Sequence, residues 1–229
     1  MFSRSTHTAS FFSILIAIIF SLCLAGVAAA QVNNTSLGTG ALQNNTTGSN
    51  NTATGANALF SNSTGDVNTG NGVNALFSNT DGDYNIASGV NALFSNTTGD
   101  FNTASGVSAL FSNTTGNLNT ASGLNTLFSN TTGIQNTAIG VNSLFNNTTG
   151  SNNTAIGFGA NVSAGNLTNA TAIGAGAFVN ASNKVRLGND QVTVIEGQVP
   201  FTAVSDKTKR KTLSPWTEKK CWERFAALS

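Results

Sequence analysis

Asn102-Thr103-Ala104-Ser105-Gly106-Val107-Ser108-Ala109-Leu110-Phe111-Ser112-Asn113-Thr114-Thr115-Gly116-Asn117-Leu118 is one unit of a pattern that returns every 17 residues. Leu-Phe recurs at 59/60, 76/77, 93/94, 110/111, 127/128 and 144/145. One glycine column runs through 38, 55, 72, 89, 106, 123, 140, 157 and 174, and a second through 48, 65, 82, 99, 116, 133 and 150. Asparagine opens the units at 34, 51, 68, 85, 102, 119, 136 and 153. Nine units fit between Asn34 and Arg186, the last two departing from the consensus. A fixed period of this kind is the signature of a repeat architecture.

Each unit has two glycines, several Asn and Thr and almost no Glu, Lys, Arg or Gln, which excludes a helical repeat. Thr103 to Val107 reads as a short extended run, and Asn113-Thr114-Thr115-Gly116 as a turn whose glycine takes positive φ. A coil of two short strands and two turns, repeated without linkers, makes an all-β protein, a parallel β-solenoid or β-roll. Nine coils about 4.8 Å apart give a rod on the order of 43 Å long.

Ala104 and Gly106 fall on one face of the strand and Thr103, Ser105 and Val107 on the other. Leu110 and Phe111 are adjacent, so in an extended strand they point to opposite sides and a thin coil covers only one of them. Six phenylalanines left outside form an apolar stripe that self-association covers, which predicts a homo-oligomer. The alternative is a sharp bend that turns Leu and Phe both inward and leaves a monomeric solenoid.

The whole chain has 229 residues, 8% of them charged, with 33 Asn, 31 Thr and 24 Gly. The single histidine is His7. Arg4, the apolar stretch Phe11 to Leu24 and Ala28-Ala29-Ala30 form the n-region, h-region and cleavage site of a signal peptide, residues 1–30, with an uncleaved anchor as the alternative. Leu22 before Cys23 does not fit a lipoprotein signal. The chain after Gln31 then has no histidine and only Cys221, which excludes His-based triads, His-ligated zinc and an internal disulfide. The expectation is a non-enzymatic protein with no catalytic, cofactor-binding or metal site and no transmembrane segment after cleavage.

The formal net charge of +1 conceals a division. Arg4 contributes +1; Asp66, Asp81, Asp83 and Asp100 give −4 in the repeats; nine basic against five acidic residues from Asn183 onward give +4. The basic end carries no nucleic-acid-binding motif, and no nucleic-acid partner is expected. Asp81-Gly82-Asp83 is a weak calcium signal, better read as turn aspartates. Gly157-Phe158-Gly159 and Gly174-Ala175-Gly176 belong to the repeat and not to a nucleotide loop. Asn96-Thr97-Thr98 and Asn113-Thr114-Thr115 are formal glycosylation acceptors that follow from the turn consensus.

Asn136-Thr137-Ala138-Ile139-Gly140, Asn153-Thr154-Ala155-Ile156-Gly157 and Ala170-Thr171-Ala172-Ile173-Gly174 resemble the head repeats of trimeric autotransporter adhesins. The resemblance spans about two thirds of the chain and implies a left-handed parallel β-roll with three chains side by side. No C-terminal barrel anchor or heptad stalk follows, so the chain is not read as a complete autotransporter.

After the repeats, residues 31–186, Lys184 to Asn189 and Val192 to Gly197 read as two short strands leaving the rod, the second within a connector spanning 187–204. Phe201-Thr202-Ala203-Val204-Ser205-Asp206-Lys207 resembles the junction with the intramolecular chaperone domain of phage tail fibres and tailspikes. That family cuts itself at the serine of a Ser-Asp pair; here 23 residues follow Asp206, so no self-cleavage is expected and Ser205 is read as a turn residue. Residues 205–229 are read as a truncated chaperone start, out of frame from about Lys207 to Lys211, with a genuine basic, aromatic tail as the alternative. The functional expectation is a secreted, surface-exposed or outer-membrane-associated fibre or adhesin head, a homotrimer contacting a host, matrix or cell surface. The alternatives are an ice-binding or other solitary solenoid, with Thr columns at 97/114/131/148 and 98/115/132, and a non-functional remnant of a longer fibre.

Overall fold

A computed structural model describes residues 33–195. The signal segment, Cys23, Cys221, Gly197, the Ser205-Asp206 pair and the basic tail lie outside the described residues. The described chain is all-β: β1 (Thr35–Leu37), β2 (Thr52–Thr54), β3 (Thr69–Asn71), β4 (Ile86–Ser88), β5 (Thr103–Ser105), β6 (Thr120–Ser122), β7 (Thr137–Ile139), β8 (Thr154–Ile156), β9 (Asn161–Val162), β10 (Thr171–Ile173), β11 (Phe178–Val179) and β12 (Val185–Leu187). β1 to β8, β10 and β12 form one ten-stranded sheet in chain order, every pair parallel. β9 and β11 form a second, two-stranded parallel sheet. The protein is a parallel β-solenoid of about nine coils, each step 17 residues except the last, where Thr171 pairs with Val185. Among the described residues no helix is long and apolar enough to cross a membrane. The chain divides at Val192, and the residues described beyond it, Thr193 to Ile195, form no strand.

The coil differs from the expected one in three respects. Most coils hold a single three-residue strand, because the Ala-Leu-Phe stretch forms turns; among the described residues a second strand exists only at β9 and β11. The glycines at positive φ are those after the strand, such as Gly106 at φ 137, and not those of the Asn-Thr-Thr-Gly turn. Gly116 is required for another reason: a Cβ there would lie 2.4 Å from Asn113 Oδ1 and 2.5 Å from the Gly133 carbonyl oxygen of the next coil. Finally, Val185–Leu187 does not leave the rod but closes its ladder against β10, and 192–195 form no strand.

The core is a stack of small residues and leucine: Ala104, Ala109 and Leu110 are fully buried, as are most of their equivalents above and below, with Gly70, Thr126 and Ser143 in place of Ala in single coils and Val162 and Val179 in the last coils. Leu110 has φ 52, and Leu59, Leu76, Leu93, Leu127 and Leu144 share this left-handed backbone. That conformation costs a residue with a Cβ roughly 1–2 kcal/mol, and burying a leucine side chain returns about 1.5–3 kcal/mol, so burial wins. The bend sends Leu inward and Phe outward; it does not turn both inward.

Two asparagine columns fill the rest of the interior. Asn102 donates through Nδ2 to the Gly116 carbonyl (2.8 Å), and its Oδ1 accepts from the backbone N–H of Asn119 (3.0 Å) in the next coil. Asn113 Nδ2 donates to Asn96 Oδ1 (2.8 Å) and to the Gly116 carbonyl (2.9 Å). Both side chains are fully buried. A buried amide is tolerable only when its groups are paired, and here the repeat supplies the partner one coil away.

Candidate interaction surface

With Ala, Leu and Asn turned inward, the remaining side chains of each coil make parallel columns along the outside. The strand face carries Thr35, Thr52, Thr69, Ile86, Thr103, Thr120, Thr137, Thr154 and Thr171 in register, one per coil. The third strand position continues from Ser105 and Ser122 into exposed Ile139, Ile156 and Ile173. Beyond the corner glycine stands a second apolar column, Val73, Val90, Val107 and Leu124, exposed to 41–47%, followed by half-buried Val141 and by Phe158 at 65%. Thr103, Ser105 and Val107 therefore share the outer side, as the alternation predicted.

The phenylalanine stripe is outside but half-buried. Phe60, Phe77, Phe94, Phe111, Phe128 and Phe145 stack with ring centroids 5.1–5.3 Å apart and planes within 7°. Each inner ring is covered on both faces by its neighbours, so the stripe is partly self-satisfied and does not by itself demand a partner protein. A second aromatic pair, Tyr84 and Phe101, stacks at 4.9 Å on another side of the coil. Both belong to an exposed column, Val67, Tyr84, Phe101 and Leu118, held at φ 55–59. The same column holds Asn33, Asn50, Asn152, Asn169 and Asn183 near the ends, residues that accept this backbone readily. That replacement of Asn by large apolar residues in the middle coils was the sequence signal for the column, and reading the repeat from its consensus alone missed it.

Asp66, Asp83 and Asp100 stand in a column that accepts backbone N–H groups: Ser49 N to Asp66 Oδ1 at 2.7 Å, Asp66 N to Asp83 Oδ1 at 2.7 Å and Asp83 N to Asp100 Oδ1 at 2.8 Å. Neutral Asn117 continues the series, accepting from Asp100 N at 2.7 Å. Asp81 is exposed and accepts from the Thr64 hydroxyl. These are turn residues in a backbone ladder, and among the described residues no group of three His, Cys, Asp or Glu is placed to hold a metal ion. Gly157, Gly159, Gly174 and Gly176 all have positive φ and serve the coil corners. The hydroxyls of Thr97, Thr114 and Thr131 donate to the carbonyls of Thr114, Thr131 and Thr148 (3.0–3.1 Å), so this threonine column is committed to the ladder, whereas Thr98, Thr115 and Thr132 are exposed. Asn96 and Asn113 are fully buried with Nδ2 donating twice, which leaves the folded turn no accessible acceptor for a glycan. No protein family, no curated protein and no solved structure matches the chain.

Proposed function

We propose that this is a secreted, surface-exposed fibre or adhesin-head-like protein, structural and interactive in role and without enzymatic activity, whose working form is a homotrimer. The observation that carries the reading is an exposed apolar column, Val73, Val90, Val107 and Leu124, that continues along the rod to Phe158 and is joined in the later coils by exposed Ile139, Ile156 and Ile173 at the third strand position. An apolar surface on a secreted rod is covered when rods lie side by side, and a heterologous contact between identical rods closes into a ring whose smallest member is the trimer. The outer Thr, Ser and Asn columns then supply a neutral, hydrogen-bonding contact surface for a host, matrix or neighbouring cell.

Analytical ultracentrifugation of the secreted chain tests the assembly, with N-terminal sequencing to test cleavage before Gln31 and antibody labelling of intact cells to test surface location. A trimer is expected, and a charge at the column's centre, Val107→Lys, shifts it toward monomer. A monomer at micromolar concentration removes the proposal.

One observation favours a second reading. The strand face presents threonine in every coil from Thr103 to Thr171, a more regular array than the turn threonines give. Such an array suits a crystalline ligand such as ice, and appreciable thermal hysteresis at micromolar protein replaces the adhesin reading with that one.

A further inference from the structure

The rod opens a cleft where it departs from its own repeat. The half-buried asparagine column at 57, 74, 91, 125 and 142 is interrupted one coil later by Gly159, whose φ is 63 and around which an added Cβ would meet nothing within 4 Å. The phenylalanine stack ends in the same place. Phe145 has Phe128 against one face at 5.3 Å, and among the described residues no ring lies against the other.

The cause is a change of backbone. Leu144 has φ 47 and points inward, whereas its counterpart Asn161 lies in strand β9 and is absent from the left-handed region. Without the bend, the in–out order reverses: Val162 is buried, and Asn161 takes the outward position where the stack would have continued. Asn142, Phe145, Gly159 and Asn161 thereby line a cleft of about 250 Å³.

The polar groups there are aimed and available. Asn161 Oδ1 accepts from the backbone N–H of Asn146 (3.2 Å) and of Val162 (2.9 Å), which fixes the side chain and leaves its NH₂ free to donate. The Asn142 side chain has no hydrogen-bond partner among the described residues, and Gly159 stands where the repeat would supply an acceptor for its NH₂.

We propose that this cleft binds one neutral pyranose ring. The part of the Phe145 ring that lines the cleft beside Asn161 has no further ring against it, and the negative side of its quadrupole suits the C–H edges of a sugar. Asn142 and Asn161 then satisfy hydroxyl groups as donors and acceptors at the ring's rim. The volume lies below the roughly 300–1,000 Å³ of pockets for drug-sized ligands and seats a single ring. The lining has no charged side chain, which selects neutral sugars over acidic ones. A purely aromatic ligand would cover Phe145 but leave two amides desolvated and unpaired, which disfavours it. The site names a ligand class for the interaction-protein reading and rests on that reading for its biological sense.

The test is ligand-observed NMR titration of the mature chain with the methyl glycosides of glucose, galactose, mannose and N-acetylglucosamine, and with phenol. At least one glycoside saturates the site with a Kd on the order of 1 mM. Gly159→Asn restores the residue that the repeat carries at this position, accepts the positive φ and fills the cleft; it weakens binding at least about tenfold, equivalent to about 1.4 kcal/mol, with the thermal melt unchanged or raised. Asn161→Ala weakens it by about five- to tenfold while phenol is unaffected. Absence of binding by all four glycosides up to about 50 mM, unchanged binding in Gly159→Asn, or saturation by phenol alone overturns the proposal. A surface-exposed trimer that ignores every glycoside loses the sugar site and keeps the fibre reading. A monomer that binds one keeps the site and loses the fibre.

Discussion

Replacing Asn102 by alanine tests whether the interior asparagines hold the coils together. Asn102 Oδ1 is the acceptor for two donors of the next coil, Asn119 N at 3.0 Å and Asn119 Nδ2 at 3.1 Å. Its own Nδ2 donates to the Gly116 carbonyl at 2.8 Å, a group that Asn113 Nδ2 also serves at 2.9 Å. Asn102→Ala therefore leaves Gly116 with one partner and strands the buried backbone N–H of Asn119. An orphaned buried donor costs about 1–3 kcal/mol and each net hydrogen bond lost about 0.5–1.5 kcal/mol, which places the variant about 2–4 kcal/mol below the parent. Asn102→Asp separates hydrogen bonding from shape. The carboxylate still accepts from Asn119, but its second oxygen faces the Gly116 carbonyl oxygen, and an ionised group is buried.

Burial raises the folded-state affinity of that introduced carboxyl for its proton, so the penalty is smallest below the unfolded-state value of about 4 and grows as pH rises through the raised folded value. Urea denaturation followed by far-UV circular dichroism at pH 7 and pH 4 reads both effects. Thr115→Ala, at an exposed position, stays within about 0.5 kcal/mol of the parent and is the control. A loss below about 0.5 kcal/mol in Asn102→Ala, or equal stability of Asn102→Asp at the two pH values relative to the parent, would refute the account of the ladder.

Three further outcomes follow from the packing. Gly116→Ala brings a methyl group within 2.4 Å of Asn113 Oδ1 at an ordinary φ, so its cost, about 3 kcal/mol by the same denaturation assay, is steric alone. Val67→Asn relieves a β-branched residue held at φ 58 in an exposed position and stabilises the rod by about 1 kcal/mol; an unchanged or lower melting temperature shows that the valine is not strained there. Ser143 occupies a column otherwise mostly alanine, and its buried hydroxyl has no partner, so Ser143→Ala raises stability by about 1 kcal/mol; a loss on calorimetry means that the hydroxyl is paired after all.

The period of the fold was legible because the same side-chain type returns wherever the same environment returns. Glycine, alanine and asparagine columns in the sequence became columns in space, and the all-β, parallel, repetitive architecture followed from them. The path within one coil was less legible. Nothing in the residue type of Leu110 announces a left-handed backbone, since that conformation is imposed by burial against Leu93 and Leu127 and opposes local preference. The same bend removes the second strand and keeps Phe111 outside. The role of Gly116 was misread as conformational because a turn glycine next to Asn-Thr-Thr ordinarily takes positive φ; here the next coil's carbonyl excludes a Cβ. Of the outer surface, the face shared by Thr103, Ser105 and Val107 could be read from alternation. The cleft at Phe145 could not, because it arises from residues that fail to match the repeat, Gly159 and Asn161, and a consensus reading discards them.

Those mismatches also answer a difficulty that an ideal repeat creates. If every coil were identical, looping out any one coil of 17 residues would restore each remaining asparagine, alanine and leucine contact and lose only that coil. A parallel sheet of short strands with interchangeable neighbours therefore specifies its register weakly. What distinguishes the native register is the set of pairs that occur once: the Tyr84–Phe101 stack, the Asp66–Asp83–Asp100 series ending on Asn117, and the Thr126 hydroxyl on the Gly140 carbonyl at 2.8 Å. The last step is the strongest of these constraints. Asn169 meets Asn183 after 14 residues and not 17, so the closing coil fits only above β10 and fixes the count from the C-terminal end. A sequence that breaks its own consensus thus gains a unique ladder, and other departures near the same end, Gly159 and Asn161, form the candidate ligand site.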